Sequence, residues 1–325
     1  MSKEFIFESA IASYIHGFIE EKRTLGYKYF NESKWMKKFD VYWLEHGYGE
    51  TGLTVDNLSG WVRKRDCEGA KCLATRVSII RQFSLYLNGL GIPSYFPPIE
   101  SRYPKPLIHL MSKEELKELF QKIDGYIPGK GNAASNRMRD EYPVLFRLIY
   151  LNGLRIAEAC RLSVSDVDLE RGILTILDGK GNTDRMVYLS DDMKILCLAY
   201  FRHICRELGR VPEWFFPGVD PQSPVSDGTV RQRFDSCWAE TSFAACCDRK
   251  PTVHGLRHAY VVTRINLWME QGLDFEHMGP YLSKFLGHKS YSDTHYYYHY
   301  VDAAARTIRK KDTVVGRVIP EVMRR

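Results

Sequence analysis

A mainly helical chain of two domains, with a small antiparallel β-sheet in the second, is the fold class this sequence predicts. Three observations lead there. Apolar residues recur at helical spacing through most of the chain. Five prolines crowd into Gly91–Pro106, "GIPSYFPPIESRYPKP", which can continue neither a helix nor a central strand. Two short strand-like runs, "GILTIL" and "RMVYLS", flank the turn-rich "DGKGNTD". The chain has 325 residues, which suits two domains better than one core.

The helices follow in order. "ESAIASYIHGFIEEKRTLG" sets Ile11, Ile15, Phe18 and Ile19 on one stripe, with Gly26 as a stop. "ESKWMKKFDVYWLEHG" repeats the pattern with Trp35, Phe39, Tyr42 and Trp43. Thr54 is placed to cap a third helix. A fourth carries Val77, Ile80, Phe83, Leu85 and Leu87, with Arg76 and Arg81 between them. Four helices with one apolar stripe each make a small bundle over residues 1–92. Residues 93–110 are the expected linker, 111–301 a second domain and 302–325 a tail. The second domain opens on "SKEELKELF", where Ser112 and Glu115 form a capping box. A long basic loop is expected from about Gly125 to Arg139, then helix, turn and helix through "EYPVLFRLIYLNGLRIAEACRL". After the hairpin, the chain from Asp191 is again mainly helical.

Composition is that of a globular protein: 44% hydrophobic and 26% charged, so no segment need be disordered on composition alone. A net charge of +6 is compatible with a polyanionic partner and is weak evidence by itself. None of the eight cysteines forms a CxxC pair, which argues against a zinc site and for reduced thiols in a cytoplasmic protein. The start, "MSKEFIFESA", lacks an apolar signal region, and no later run is long and apolar enough to span a membrane. GKGN occurs twice, but glycine follows each lysine where a phosphate-cradling P-loop needs serine or threonine, so a nucleoside triphosphatase is disfavoured.

Chemistry is carried by four short stretches. "NGLRIAEACRL" puts Arg155 at a turn-to-helix junction with Glu158 three residues on. Lys180 sits at the hairpin tip. "HGLRHAYVV" puts His254 and Arg257 on one helical face, able to converge on an anion. "LGHKSYSDTHYYYHYV" crowds five tyrosines after His288. Singly, each has an ordinary explanation as a surface ion pair, a solvated turn, a polar helix face or aromatic packing.

In this order and spacing they resemble the tyrosine recombinases, or phage integrase family. That family's pattern is an arginine in a GLRxxE turn, a lysine in a β-hairpin, an HxLRH segment, and LGH followed nine residues later by tyrosine; here the ninth residue after His288 is Tyr297. The resemblance covers about Ser112 to Val301. It implies a two-domain clamp: a helical core-binding domain on one side of a duplex and a mixed α/β catalytic domain on the other. It implies a site-specific recombinase or integrase that cleaves and rejoins DNA through a 3′-phosphotyrosine, in integration or transposition of a mobile element. Partners would be double-stranded DNA, three further copies of the chain on two duplexes, and related recombinases encoded on the same element, in a nucleoid-associated cytoplasmic setting without membrane.

The resemblance assigns the catalytic roles. Arg155 and Arg257 would hold the phosphoryl oxygens with fixed charged forks, helped by His288. A free phenol, with pKa about 10, is almost wholly protonated at pH 7; the arginines would favour phenolate, and His254 would take the proton as Tyr297 attacks. Lys180 would protonate the departing 5′ oxygen. Glu158 would orient the array and His258 would support it. The bond energy is kept in the phosphotyrosine, so no cofactor, nucleotide or metal is expected. On a helix capped near Ser292, Tyr296 and Tyr300 would share a packing face while Tyr297 points elsewhere. The alternatives are a type IB topoisomerase-like enzyme and a noncatalytic DNA-binding protein of the same fold.

Overall fold

The computed structural model describes residues 5–98, 108–128, 133–177 and 184–301. The chain divides into two compact units, Met1–Pro106 and Leu107–Arg325.

The first unit contains α1 (Ala12–Thr24), α2 (Phe30–Glu45), α3 (Val55–Val62) and α4 (Ala70–Gly89). The stripe Ile15, Phe18 and Ile19 is buried against Met36, Phe39 and Trp43 of α2, Trp61 of α3 and Phe83 of α4. Thr54 caps α3: its hydroxyl accepts from the Asn57 N–H at 3.1 Å, and the Asn57 side chain accepts from the Thr54 N–H at 2.8 Å. Leu85 departs from the expected stripe and is 58% exposed. It lies two residues after Phe83, about 200° around the helix. Arg76 takes an unexpected place inside the core, where it is fully buried. Its fork closes on Glu68 at 3.0 and 2.5 Å over the Trp61 ring, so the charge is paired where it is desolvated. The start of the proline-rich segment is pinned to this unit by a Tyr95 N–H to Leu53 carbonyl bond at 2.6 Å and by Arg81 stacked on Phe96 at 3.7 Å.

The second unit opens with α5 (Lys113–Asp124), capped by Ser112 and Glu115 as the sequence predicts. Helix α6 (Ala133–Asn152) begins earlier than expected, so the loop from Gly125 to Arg139 is largely helix at its far end. Its second turn is held by Arg137, whose Nε lies 3.5 Å from Glu141 and whose fork donates to the Gly218 carbonyl; local polarity disguised a packed helix. A tight turn leads to α7 (Ile156–Cys160) and to a three-stranded antiparallel sheet in the order β1 (Val167–Asp168), β2 (Ile173–Ile176), β3 (Arg185–Tyr188). The hairpin turn between β2 and β3, with Lys180, lies outside the described residues, as does the tail 302–325. Helices α8 (Asp191–Leu208), α9 (Asp227–Ala239), α10 (Val253–Glu270) and α11 (Phe275–Leu286) complete a core around Phe146, Leu174, Val187, Phe215, Phe234 and Leu256.

Two glycines set the geometry needed below. Gly287 ends α11 with φ +64°, a left-handed C-cap. Gly153, in the turn after α6, has φ +60°; a Cβ there would stand 2.7 Å from Tyr260 Cδ1 and 2.8 Å from Leu286 Cδ2. Gly153→Ala combines a left-handed backbone with overpacking and should cost at least about 2 kcal/mol. An unchanged denaturant midpoint would contradict this packing.

Candidate active site

The residues singled out by sequence converge at the C-terminal end of α11. Arg155 is the N-cap of α7, and Glu158 one turn later accepts its backbone N–H at 2.9 Å and its Nη1 at 2.6 Å. Arg155 Nη2 donates to the Gly287 carbonyl at 2.8 Å. Arg257, fully buried on α10, donates to the Gly153 carbonyl at 2.6 Å and to the Leu286 carbonyl at 2.8 Å. Sequence reasoning missed Arg185, the first residue of β3. It donates to the Phe285 carbonyl at 2.8 Å and to both Glu158 oxygens, at 3.0 and 2.6 Å. One signal for it was present: in "RMVY" the arginine shares the buried phase with Val187, whereas Met186 and Tyr188 face outward.

Three guanidiniums thus take three successive carbonyls at residues 285 to 287, and one carboxylate joins two of the guanidiniums. Burial alone would push the Glu158 carboxyl up, but Arg185 and then Arg155 hold it down at about 2. Burial, followed by repulsion from Arg155, lowers Arg257 to about 10.

Beyond α11, Ser290 caps α12 (Tyr291–His295), two residues before the expected cap at Ser292. A 3-10 turn over Tyr296–Tyr300 then replaces the continuous α-helix. Tyr297 points inward and is 5% exposed, whereas the Tyr296 and Tyr300 hydroxyls meet at 2.8 Å, the packing pair the sequence predicts. The Tyr297 Oη lies 2.6 Å from His258 Nδ1. In the free protein the hydroxyl's partner is thus His258; His254, the residue expected to take its proton, stacks edge-on against His258, ring centres 4.5 Å apart, one turn back along α10. His288 is oriented through Nδ1 by the buried Thr294 hydroxyl at 2.7 Å, and its ring lies parallel to that of Tyr297 at 6.5 Å. Burial raises the Tyr297 phenol to about 12; Arg257 and Arg155 do favour the phenolate, as expected, but do not outweigh burial.

Arg155, Glu158, His254, Arg257, His258, His288 and Tyr297 are therefore brought together, and Lys180 lies outside the described residues. Among the described residues no three His, Cys, Asp or Glu side chains cluster as metal ligands, and no helix is long and apolar enough to cross a membrane.

A helical domain with a three-stranded sheet, holding arginines, histidines and a buried tyrosine at the end of one helix, defines the class as tyrosine recombinase. The sequence profile described as the phage integrase family matches residues 109–303, and the chain belongs to that family. Tyrosine recombinase XerD of Pseudomonas putida is 27% identical over 232 residues, covering 70% of each chain. The XerH site-specific recombinase, in a post-cleavage complex with palindromic difH substrate, shares the fold. Its TM-score is 0.61 at 18% identity, over 86% of this chain and 77% of that one. A lambda integrase tetramer bound to a Holliday junction does so with TM-score 0.59 at 17% identity, over 90% and 78%. The protein is a site-specific DNA recombinase.

The buried imidazoles make a testable statement about pH. Burial, then His254 and Arg257, lowers His258 to about 3, and burial with Arg257 and Arg155 lowers His288 to about 4. A free histidine titrates near 6.5. Between those values the unfolded chain binds more protons, so these two residues stabilise the fold above pH 6.5 and lose that contribution as pH falls toward 3–4. In NMR titration of the free protein, both rings should remain neutral at pH 6. Titration of either near 6.5 would contradict the burial described.

Proposed function

We propose that the protein cleaves and rejoins DNA strands through a 3′-phosphotyrosine on Tyr297, in integration or transposition of a mobile element. The observation that carries this reading is the 2.6 Å contact between the Tyr297 hydroxyl and a neutral imidazole, in a site where Arg155 and Arg257 meet at the end of α11. In the free protein the phenol is buried and protonated. A DNA phosphate brings negative charge to Arg155, Arg257 and His288, whose remaining N–H groups are suited to the nonbridging oxygens. The Tyr297 proton passes to His258 Nδ1, with His254 stacked behind it, and the phenolate attacks phosphorus. The P–O5′ bond breaks, and the 5′ oxygen takes a proton from Lys180. Attack by a 5′ hydroxyl on the phosphotyrosine reverses every step, so bond energy is conserved and no nucleotide is consumed.

Strand exchange needs two duplexes and four copies, and the tetrameric lambda integrase on a Holliday junction supports this arrangement by likeness of fold. In that reading the helical unit and the catalytic unit clamp the duplex, and residues 302–325 dock on a neighbouring copy. Related recombinases from the same element are the natural heterologous partners.

A randomised, nicked duplex library should yield covalent protein–DNA adducts whose DNA identifies the site. Tyr297→Phe should abolish the adduct while retaining DNA binding, because only the nucleophilic oxygen is removed. An adduct that survives Tyr297→Phe and disappears with Tyr298→Phe would move the nucleophile by one residue.

The role given to Lys180 has its own test. A general acid matters only where the leaving group is basic. Replacing the bridging 5′ oxygen by sulfur should rescue most of the cleavage lost in Lys180→Ala. It should not rescue Arg155→Ala or Arg257→Ala, which act on nonbridging oxygens. Equal defects of Lys180→Ala on both substrates would make the lysine a charge clamp instead.

A further inference from the structure

Arg185, the first residue of the run "RMVYLS", has no role assigned to it by the sequence, yet it makes as many bonds in the site as either expected arginine. Its fork covers both oxygens of Glu158, and its Nε caps the Phe285 carbonyl. Glu158 also accepts from Arg155 Nη1 and the Arg155 backbone N–H. Four donors saturate the four lone-pair directions of one carboxylate. The carboxylate therefore cannot rotate, and the Arg155 fork has one orientation in which it meets both Glu158 and the Gly287 carbonyl.

Bonding and exposure together separate Arg185 from Arg155: all three fork nitrogens of Arg185 are committed to Glu158 and Phe285. The Arg185 side chain is 5% exposed and turned wholly inward, while that of Arg155 is 18% exposed and retains access to an incoming phosphate. Gly287 leaves the room: a Cβ there would stand 3.0 Å from Arg185 Nη1.

We propose that Arg185 is a positioning residue for strand cleavage, acting through Glu158 to fix the guanidinium of Arg155 against the end of α11. The inference rests on the function proposed above, in which Arg155 holds the scissile phosphate. Arg185 touches neither DNA nor the reacting atoms. Lysine cannot replace it, because a point charge on a flexible stem holds one carboxylate oxygen and loses the second prong and the carbonyl cap.

The test uses Arg185→Lys, which keeps a charge beside Glu158 and so avoids the unpaired buried carboxylate that Arg185→Met would leave. In single-turnover cleavage of the recovered nicked site, Arg185→Lys should be slower by about 100-fold, the order expected when a catalytic group is misplaced by about an ångström. The Kd for DNA should stay within about twofold, since positioning of one fork leaves most phosphate contacts intact. Adding Arg185→Lys to Glu158→Gln should slow cleavage no further than the worse single variant, because both act through one carboxylate. Wild-type cleavage by a folded Arg185→Lys protein, or a double variant showing the product of the two single defects, would overturn the proposal.

A second measurement needs no DNA. The Arg155 Nε–H resonance of the free protein should shift and lose exchange protection in Arg185→Lys; an unmoved Arg155 would overturn the positioning role. If the wild-type chain forms no adduct, the proposed function fails, while this arm still decides whether Arg185 holds Arg155.

Discussion

The last turn of α11 ends in three carbonyls that the helix cannot satisfy, at Phe285, Leu286 and Gly287, and three arginines from three other elements satisfy them. The rest of the catalytic unit is arranged around that meeting. Arg155 comes from the turn into α7, Arg185 from the start of β3 and Arg257 from the first turns of α10. Helix C-termini carry partial negative charge, so the cap is favourable for each guanidinium taken alone. Together they repel, and Glu158 is the carboxylate that lets Arg155 and Arg185 share the space. Gly153 and Gly287 are required for the same reason. Each supplies a carbonyl to an arginine from a left-handed backbone, and a side chain on either would intrude on the packing that brings the carbonyl there.

Burial, reinforced by the same concentration of charge, explains the protonation states. A buried site with three guanidiniums and one carboxylate disfavours any further cation, and His258 and His288 are held neutral. Neutral imidazole can accept a proton, as a base beside a phenol must. The phenol is nevertheless held protonated by burial, so Tyr297 and His258 lie in contact with both groups neutral. In the mechanism proposed above, a DNA phosphate would supply the anion that the arginines lack and so tie activation to substrate.

The sequence read well where local chemistry decides structure. Thr54 and Ser112 cap their helices because a hydroxyl reaches N–H groups within one turn. Gly26 follows the end of α1 with φ +85°, because a left-handed residue favours glycine. Reading failed where a distant element supplied the partner. Arg76 stood between the stripe positions of its helix and Arg137 in an expected basic loop, and both are buried, one on Glu68 over Trp61, the other on the Gly218 carbonyl. Leu85 looked like core and faces solvent, since its angular position around α4 puts it off the stripe.

Taken alone, the sequence identified the family and the candidate site residues, through its resemblance to the pattern GLRxxE, HxLRH and LGH-to-tyrosine, each a short stretch whose spacing a local turn or helix can hold. Only the tertiary structure decided which histidine meets the Tyr297 hydroxyl. His254 and His258 lie one turn apart on α10, and the choice between them is made by the 3-10 turn that carries Tyr297 inward over the second. Only the tertiary structure recruited Arg185, whose Glu158 partner is 27 residues away and whose capped carbonyl at Phe285 is 100 residues away. Contacts at that separation leave no periodicity in the chain, because packing rather than local backbone geometry brings their ends together.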